Sequence, residues 1–484
     1  MAKIVALVAL WILTALPVLA SEAAPAGAGA GNAAPAAVAA APAKEAAPAA
    51  VAADPAKDAA IRFDRSATAG TLAERLQAVL GSIVLISLCW LLRERRPGQR
   101  FPLRIVAAGA AIQLVLAALI LKTDVAARAF ASINDAFVNL MSFSNEGARF
   151  LFGQAMEVPF GLVAFAVLPT IIFFSSLMTL GYHSGVMVRV VRFFSRYLAR
   201  WMGISGAESL STVGNIFLGQ TEAPLLVRPF LGAATRSELH CIMVGGFGSV
   251  AGGVLAAYVG MLHGRFPDIA GHLLTASIMS APCTVMVAKL MVPESEVPVT
   301  GPDHRIEVER LHRNAIDAAA AGASEGLALA LNVGAMLLAF IALVALGNAI
   351  LGSLLELIGL PGLTLQAILG YLFTPIAWLC GAGWEDAPAV GRLLGIKLVL
   401  NEFVAYLDLA KDLSGPTPLS PRATIISAYA LCGFANFSSI AIQIGGISGM
   451  APERRPVLAE LGLRAMLGGT VVGYLTAALV AIVM

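Results

Sequence analysis

The sequence predicts an all-α polytopic membrane protein: about eight transmembrane helices, two re-entrant helical hairpins and interfacial helices. Hydrophobic residues make up 58% of the chain and charged ones only 13%, where a soluble protein carries about 25% charged residues. Uncharged stretches of spanning length recur from residue 76 to the C-terminus. Two glycine-containing stretches interrupt them, and each holds a glutamate: Glu222 in GNIFLGQTEAP (214–224) and Glu402 in LNEF (400–403).

The first residues read as a separate piece. Lys3, the apolar run 4–16 and a small-residue exit near Ala20 fit a secretory signal over 1–20, with an uncleaved anchor as the other reading. Residues 21–65 are nearly all Ala, Pro, Gly and Val, the composition of a disordered linker. Leu76–Leu92 and Ile105–Leu121 are the first two spans. The basic loop between them, RERRPGQRFPLR, belongs in the cytoplasm by the positive-inside rule, which puts the linker outside. Residues 123–157 mix charges with Phe, Leu and Val and suit an interfacial helix. Val158–His183 is a third span with a kink expected at Pro169.

Arg189, Arg192, Arg196 and Arg200 then recur at helical spacing with Phe193, Tyr197 and Trp201 among them. That pattern fits a helix lying on the cytoplasmic leaflet, the alternative being a surface helix of a soluble domain. It closes an N-terminal part over 70–202, and a core follows over 203–484. Residues 203–224 break too often for one helix and read as a re-entrant hairpin, which membranes permit only where protein or water covers the backbone. Leu239–His263 and Ala270–Ala288 are spans, separated by a charged loop (293–325) from the apolar run Gly326–Leu355. A second broken region covers Leu363–Leu407, and Ile425–Gly446 and Leu467–Met484 are the last spans.

GGFGSVAGG (245–253) and CGFANFSSIA (432–441) share a motif, so Gly246, Phe247 and Ser249 answer to Gly433, Phe434 and Asn436. Each follows a broken stretch with its glutamate. Paired interrupted segments in two halves point to an inverted-repeat core built from discontinuous helices. A carboxylate at membrane depth costs roughly 3 kcal/mol on insertion scales, and chains keep one where it faces a cavity. Gln220, Thr221 and Glu222 offer donors and acceptors at one break, and Glu402, Asn436 and Ser439 at the other, unless they serve to join helices by hydrogen bonding. Lys289, Lys397 and Arg228 are the nearest candidate counter-charges and suit span ends better. Asn215 and Ser249 supply oxygens for a small cation, with helix capping as the competing role for Asn215.

Other chemistries find little support. HExxH and Walker sequences are missing, and the loose GxGxxA at 246–251 falls inside an expected span. A proteolytic carboxylate dyad would call for aspartates. The five cysteines lie in apolar surroundings without a CxxC pair, so neither a disulfide frame nor a zinc site is indicated. A net charge of +2 gives no sign of a nucleic-acid partner. The pattern suits passage of a polar solute through a bilayer; a membrane receptor or sensor is the reading from another class, and no output domain is recognisable.

GNIFLGQTEAPLLVRPFL (214–231), SELHCIMVGGFGSVAGGVLAAY (237–258), LLTASIMSAPCTVMVAKLMVPESE (273–296), LGIKLVLNEFVAYLDLA (394–410) and ALCGFANFSSIAIQIGGISGMAPERR (430–455) resemble the concentrative nucleoside transporter family. The likeness runs from about residue 70 onward. It implies a homotrimer acting as a symporter and not as an enzyme, and together with the charge bias and signal segment above it places the chain in the bacterial inner membrane with a periplasmic mature N-terminus. By motif, Gln220, Thr221 and Glu222 meet the nucleobase, Glu402, Asn436 and Ser439 hold the ribose hydroxyls, and Phe434 lines the pocket. Gly219 stands at a position linked to base choice. The implied sodium site uses Asn215 and Ser249 with backbone oxygens of Leu218 and Val250, and Na+ is the coupling ion with no other cofactor. Proton-coupled members depart from the QTEAP sequence that this chain keeps; proton-coupled uptake of nucleoside or nucleobase is the alternative within transport.

Overall fold

The computed structural model describes residues 68–95, 100–153, 162–301, 312–356 and 364–484. The expected signal segment (1–20) and linker (21–65) lie outside the described residues, as do Arg305, Arg310 and 154–157 of the expected interfacial stretch. Every regular element among the described residues is helical.

Helix α1 (Leu72–Leu91) starts at a capping box in which Thr71 and Glu74 satisfy each other's backbone amides. Helix α2 (Leu103–Lys122) and the amphipathic α3 (Asp124–Phe152) follow. Pro169 sits in the first turn of α4 (Leu168–His183), where its missing amide costs no hydrogen bond, directly after a π-helical turn over Leu162–Val167. The expected kink is thus a change of helix type at a helix start. A bend of 76° separates α4 from α5 (Val186–Met202). Left-handed glycines, Gly185 (φ 75°) and Gly203 (φ 67°), bracket α5.

Helix α6 (Gly206–Gly214) is followed by an irregular stretch, a 3-10 turn (Ala223–Val227) and the short α7 (Arg228–Leu231). Next come α8 (Arg236–Gly248), α9 (Gly252–Leu262) and α10 (Ile269–Met291). The 42-residue α11 runs Ala315–Glu356, followed by α12 (Leu365–Leu379), α13 (Ala387–Val399) and α14 (Glu402–Asp412). Helices α15 (Pro421–Leu431), α16 (Phe437–Met450) and α17 (Arg455–Val483) close the chain. From α4 to α10 and again from α11 to α17, the order is two helices, a helix–break–helix, a broken helix and a long helix.

Among the described residues, six helical segments are long and apolar enough to cross a membrane, the α8–α9 pair counting as one, and the bent α4–α5 pair would make a seventh if it is one span. They fall into two groups. The apolar windows of Arg236–Leu262, Ile269–Met291 and Pro452–Val483 are 83–100% buried, while those of α1, α2 and α11 are 11–28% buried. The first group is the protein interior, and the second presents its leucines outward as lipid-facing helices do. Helix α11 lies close along α4 because Gly322 and Gly326 abut Ser175 and its neighbours with no side chain between.

Sequence and structure differ at four places. The stretches expected as single spans at 239–263 and 425–446 are each two helices. Ser249 to Ala251 is extended, and Gly433 adopts φ 147°, which only glycine takes readily, against the Phe247 carbonyl. Helix α11 begins at Ala315, inside the expected charged loop, because Asp317 and Glu325 are tolerated on its exposed first turns. Helix α17 starts at Arg455, twelve residues before its uncharged segment, because a helix continues through polar sequence that lacks a breaker.

Candidate functional site

The two interrupted helices meet at their breaks. Phe434 N donates to Ser249 O at 3.3 Å, and Gly469 of α17 packs against Phe247 with no room for a Cβ. The Gly-Phe motifs found in the sequence are therefore the crossing point itself. Each break leaves helix-end amides and carbonyls without intrahelical partners, and these must be satisfied by side chains or by what binds there.

The stretch between α6 and the 3-10 turn lies against the first break. Ser205 and Glu208 start α6 with a capping box, and Asn215 ends it. The Asn215 carboxamide bridges two segments: its nitrogen donates to Gly219 O and its oxygen accepts from Gly246 N, both at 3.1 Å. Ser249 Oγ donates to Asn215 O at 3.1 Å, and Gly252 N donates to Phe217 O at 3.1 Å. Residues 215–219 and 245–252 thus run side by side. Leu218 and Val250 belong to those same two unwound strands of backbone, a setting in which half-helix carbonyls bind sodium in transporters.

Beyond Leu218 the chain turns sharply. The Glu222 carboxylate folds back to accept from Gly219 N and, at 3.3 Å, from Thr221 Oγ1. A Cβ at position 219 would overlap Glu222 Oε2, so a side chain there would displace the carboxylate from the Gly219 amide. Gln220 Nε2 donates to Ser439 Oγ at 3.5 Å, and Gln443 Nε2 donates to Gln220 Oε1 at 3.2 Å. Gly246 and Gly446 allow the close approach, since a Cβ on either would meet Gln220 or Thr221.

The second break supplies the opposite wall. Asn401 caps α14, leaving Glu402 in its first turn and only 5% exposed. Glu402 Oε1 accepts from Tyr258 Oη at 2.9 Å, and Oε2 accepts from Asn436 Nδ2 at 3.2 Å. Asn436 caps α16 and accepts from Ser439 N at 3.0 Å and Ser438 Oγ at 2.7 Å. Tyr258 is held by stacking on Tyr406, ring centroids 4.3 Å apart. Neither Glu222 nor Glu402 makes an ion pair among the described residues.

These parts enclose one cavity of about 430 Å³, lined by Gly219, Gln220, Thr221, Glu222, Glu402, Phe434, Asn436 and Ser439. It lies within the usual range for small-molecule sites, about 300–1,000 Å³. Asn215, Ser249 and Val250 sit behind this wall, while Leu218 reaches the cavity.

Sequence reasoning did not single out Tyr258, Gln443, Glu325 or Asn332. Gln443 stands four residues after Ser439, hence on the same helical face, and that spacing was a usable signal. Tyr258 and Glu402 are 144 residues apart and only the fold joins them. Glu325 and Asn332 line the cavity from α11, seven residues apart on one face. Lys289 and Lys397 do stand in last turns, but both are buried. Lys289 Nζ pairs with Glu208 at 2.5 Å and Glu294 at 3.4 Å, and Lys397 Nζ donates to Ala430 O at 2.8 Å.

Comparison with known proteins gives a consistent result. A family model described as Na+ dependent nucleoside transporter C-terminus matches residues 272–481, and its N-terminus counterpart matches 80–155. A model described as nucleoside recognition matches 164–265. The chain is 42% identical over 406 residues to the uncharacterized transporter YutK of Bacillus subtilis, covering 84% of this chain and 98% of that one. An uncharacterized transporter of Haemophilus influenzae is 43% identical over 408 residues, covering 83% and 96%. Mouse sodium/nucleoside cotransporter 1 is 39% identical over 77% of this chain, which spans 59% of that longer protein. Among solved structures, CNTnw in an inward-facing substrate-bound state superposes with TM-score 0.77 at 42% identity, covering 84% and 97%. A CNTnw variant in an outward-facing state gives 0.79 at 42% identity, covering 85% and 98%.

Proposed function

This chain belongs to the sodium-dependent, concentrative nucleoside transporter family, whose members are transporters, and from that premise we propose that it is a sodium-coupled symporter importing nucleosides by alternating access. The observation that carries this reading is the cavity in which the residues of both breaks converge, with the Asn215–Ser249 pair directly behind it.

In this reading Gln220, Thr221 and Glu222 address the nucleobase, and Gly219 lets the Glu222 carboxylate lie against the backbone. Glu402, Asn436 and Ser439 hold the ribose, with Tyr258 fixing the carboxylate. A carboxylate has about four lone-pair sites. Tyr258 and Asn436 use one on each oxygen, which leaves acceptors for two ribose hydroxyls. Phe434 lines the cavity. Sodium takes the Asn215 and Ser249 side-chain oxygens together with the carbonyls of Leu218 and Val250. Because Asn215 also grips Gly219 O, ion binding tightens residues 215–219 against 245–252 and fixes Gln220 to Glu222 for the nucleoside. Coupling then follows without a further element.

The wider assignments accompany this reading. Helices α6–α7 and α13–α14 act as two re-entrant hairpins in two inverted halves, in a chain of eight spans. Residues 203–484 form the transport core behind the N-terminal part, 70–202. The protein is a homotrimer of the bacterial inner membrane with its mature N-terminus in the periplasm. Equilibrium binding of labelled uridine to the purified protein tests the core claim. Affinity should rise with sodium and be unchanged by choline; sodium-independent binding would sink the coupling scheme.

A further inference from the structure

The two broken helices end in different ways. At the first, the Met243 carbonyl accepts from the neutral Gln443 amide at 3.1 Å, and the Gly245 carbonyl from Ser249 Oγ at 3.2 Å. At the second, both donors come from one hairpin: Lys397 Nζ of α13 reaches Ala430 O and Tyr406 Oη of α14 reaches Ala428 O, each at 2.8 Å. Ala430 stands three residues before Gly433 as Met243 stands three before Gly246, so an ammonium and a neutral amide serve matching carbonyls. Lys397 is fully buried and makes no ion pair among the described residues. Gly473 of α17 passes over it, where a Cβ would stand 3.2 Å from Nζ and 2.8 Å from Ala430 O. The fold thus makes room for a charge where an amide suffices in the other half, and an unpaired buried charge is costly. Its compensation comes from the surrounding field. The last carbonyls of α15 are the negative end of that helix, and Glu402 follows Lys397 by five residues in the same hairpin.

We propose that Lys397 is a positioning residue, the built-in cation of the second half: its ammonium holds the α13–α14 hairpin on the end of α15 at all times and so presents Glu402 to the ribose. The counterpart stretch, 203–231, contains no lysine. Asn215 and Leu218 stand seven and four residues before Glu222, bracketing the place that Lys397 takes five before Glu402. In the first half the cation is the sodium of the reading above, on which this comparison of halves rests. Each half then sets one cation beside one glutamate, exchangeable in the first and fixed in the second. Sodium orders the nucleobase side of the cavity, and the ribose side is formed without it.

The test is hydrogen–deuterium exchange of the full-length protein, with uridine binding measured alongside. In the wild type, amides within 395–402 should be protected without sodium and change less than about twofold when it is added, while those within 215–222 slow about tenfold. If 395–402 is unprotected without sodium, or is slowed as much as 215–222, the proposal is overturned. Lys397→Met then removes the charge at nearly constant volume. A lysine that merely filled space would be replaced by methionine without loss. For a positioning residue, exchange in 395–402 speeds up about tenfold and uridine binds about tenfold more weakly at saturating sodium. Affinity for 2′,3′-dideoxyuridine and the sodium concentration for half-saturation should each move less than about twofold. Unchanged uridine affinity, or an equal loss for both nucleosides, overturns the proposal. If Lys397→Met does not yield folded protein, the wild-type exchange comparison decides. Sodium that protects neither stretch would sink the coupling scheme, and the Lys397→Met comparison would still decide the role of the lysine.

Discussion

Glu402→Gln separates recognition from scaffolding. The glutamine amide fits the same space: its oxygen can accept from Asn436 Nδ2, and the Tyr258 hydroxyl can turn to accept from the new NH₂. The protein framework therefore survives. What changes is the acceptor offered to the ribose. Each hydroxyl loses a bond to a charged acceptor, worth about 1.5–3 kcal/mol, for a neutral one worth about 0.5–1.5. For two hydroxyls the loss is about 2–3 kcal/mol, or roughly 30- to 150-fold in uridine affinity. The ribose-free part of the site should not notice. Equilibrium binding of uridine, 2′-deoxyuridine and 2′,3′-dideoxyuridine at saturating sodium gives the comparison directly. Uridine should lose the full factor, 2′-deoxyuridine about half of it in free energy, and the dideoxy compound less than about twofold. An equal loss for all three ligands would refute the ribose role and make Glu402 a structural residue of the second break.

Gly219→Ala places a Cβ on Glu222 Oε2 and lifts the carboxylate off the Gly219 amide. Uridine uptake should fall about tenfold, the cost of one charged hydrogen bond, with sodium affinity less affected. Ser249→Ala removes the hydroxyl that donates to the Asn215 carbonyl and that would ligate sodium. The sodium concentration for half-maximal uridine uptake should rise about tenfold, while uridine KM at saturating sodium stays nearly constant. Lys289→Met leaves Glu208 buried without its ammonium partner, costing about 3–5 kcal/mol and visible as a lower Tm. Adding Glu208→Gln to that variant should recover part of the loss, and no recovery would mean the pair is not the source of the effect.

Composition and hydropathy exposed the class of fold, because a bilayer tolerates few unpaired charges and leaves long apolar stretches legible. The breaks were legible only in part: the Gly-Phe motif repeats around Ser249 and Asn436 and marked a matching pair of positions, but apolar flanks made both stretches read as single spans, and the positive φ of Gly433 shows only in the fold. Helix lengths were not. Hydropathy marks where a helix is lipid-like and says nothing of where it ends, so α11 and α17 extend well past their apolar cores. The partners of the site glutamates were also beyond reach. Tyr258 looks like any aromatic in an apolar helix until the fold sets it against Glu402, and Lys289 looks like an end-of-span charge until Glu208 meets it. Contacts between distant positions are chosen by packing, and one sequence does not record them.

The most direct test loads the protein into sealed liposomes and follows labelled sodium and labelled uridine in the same vesicles. One sodium moving down 100 mV releases about 2.3 kcal/mol and a tenfold gradient about 1.4, enough to concentrate uridine about five hundred-fold. Uridine should enter only down an inward sodium gradient, with sodium entering only when uridine is present. Uridine accumulation driven by a proton gradient without sodium, or sodium flux indifferent to uridine, would contradict the account.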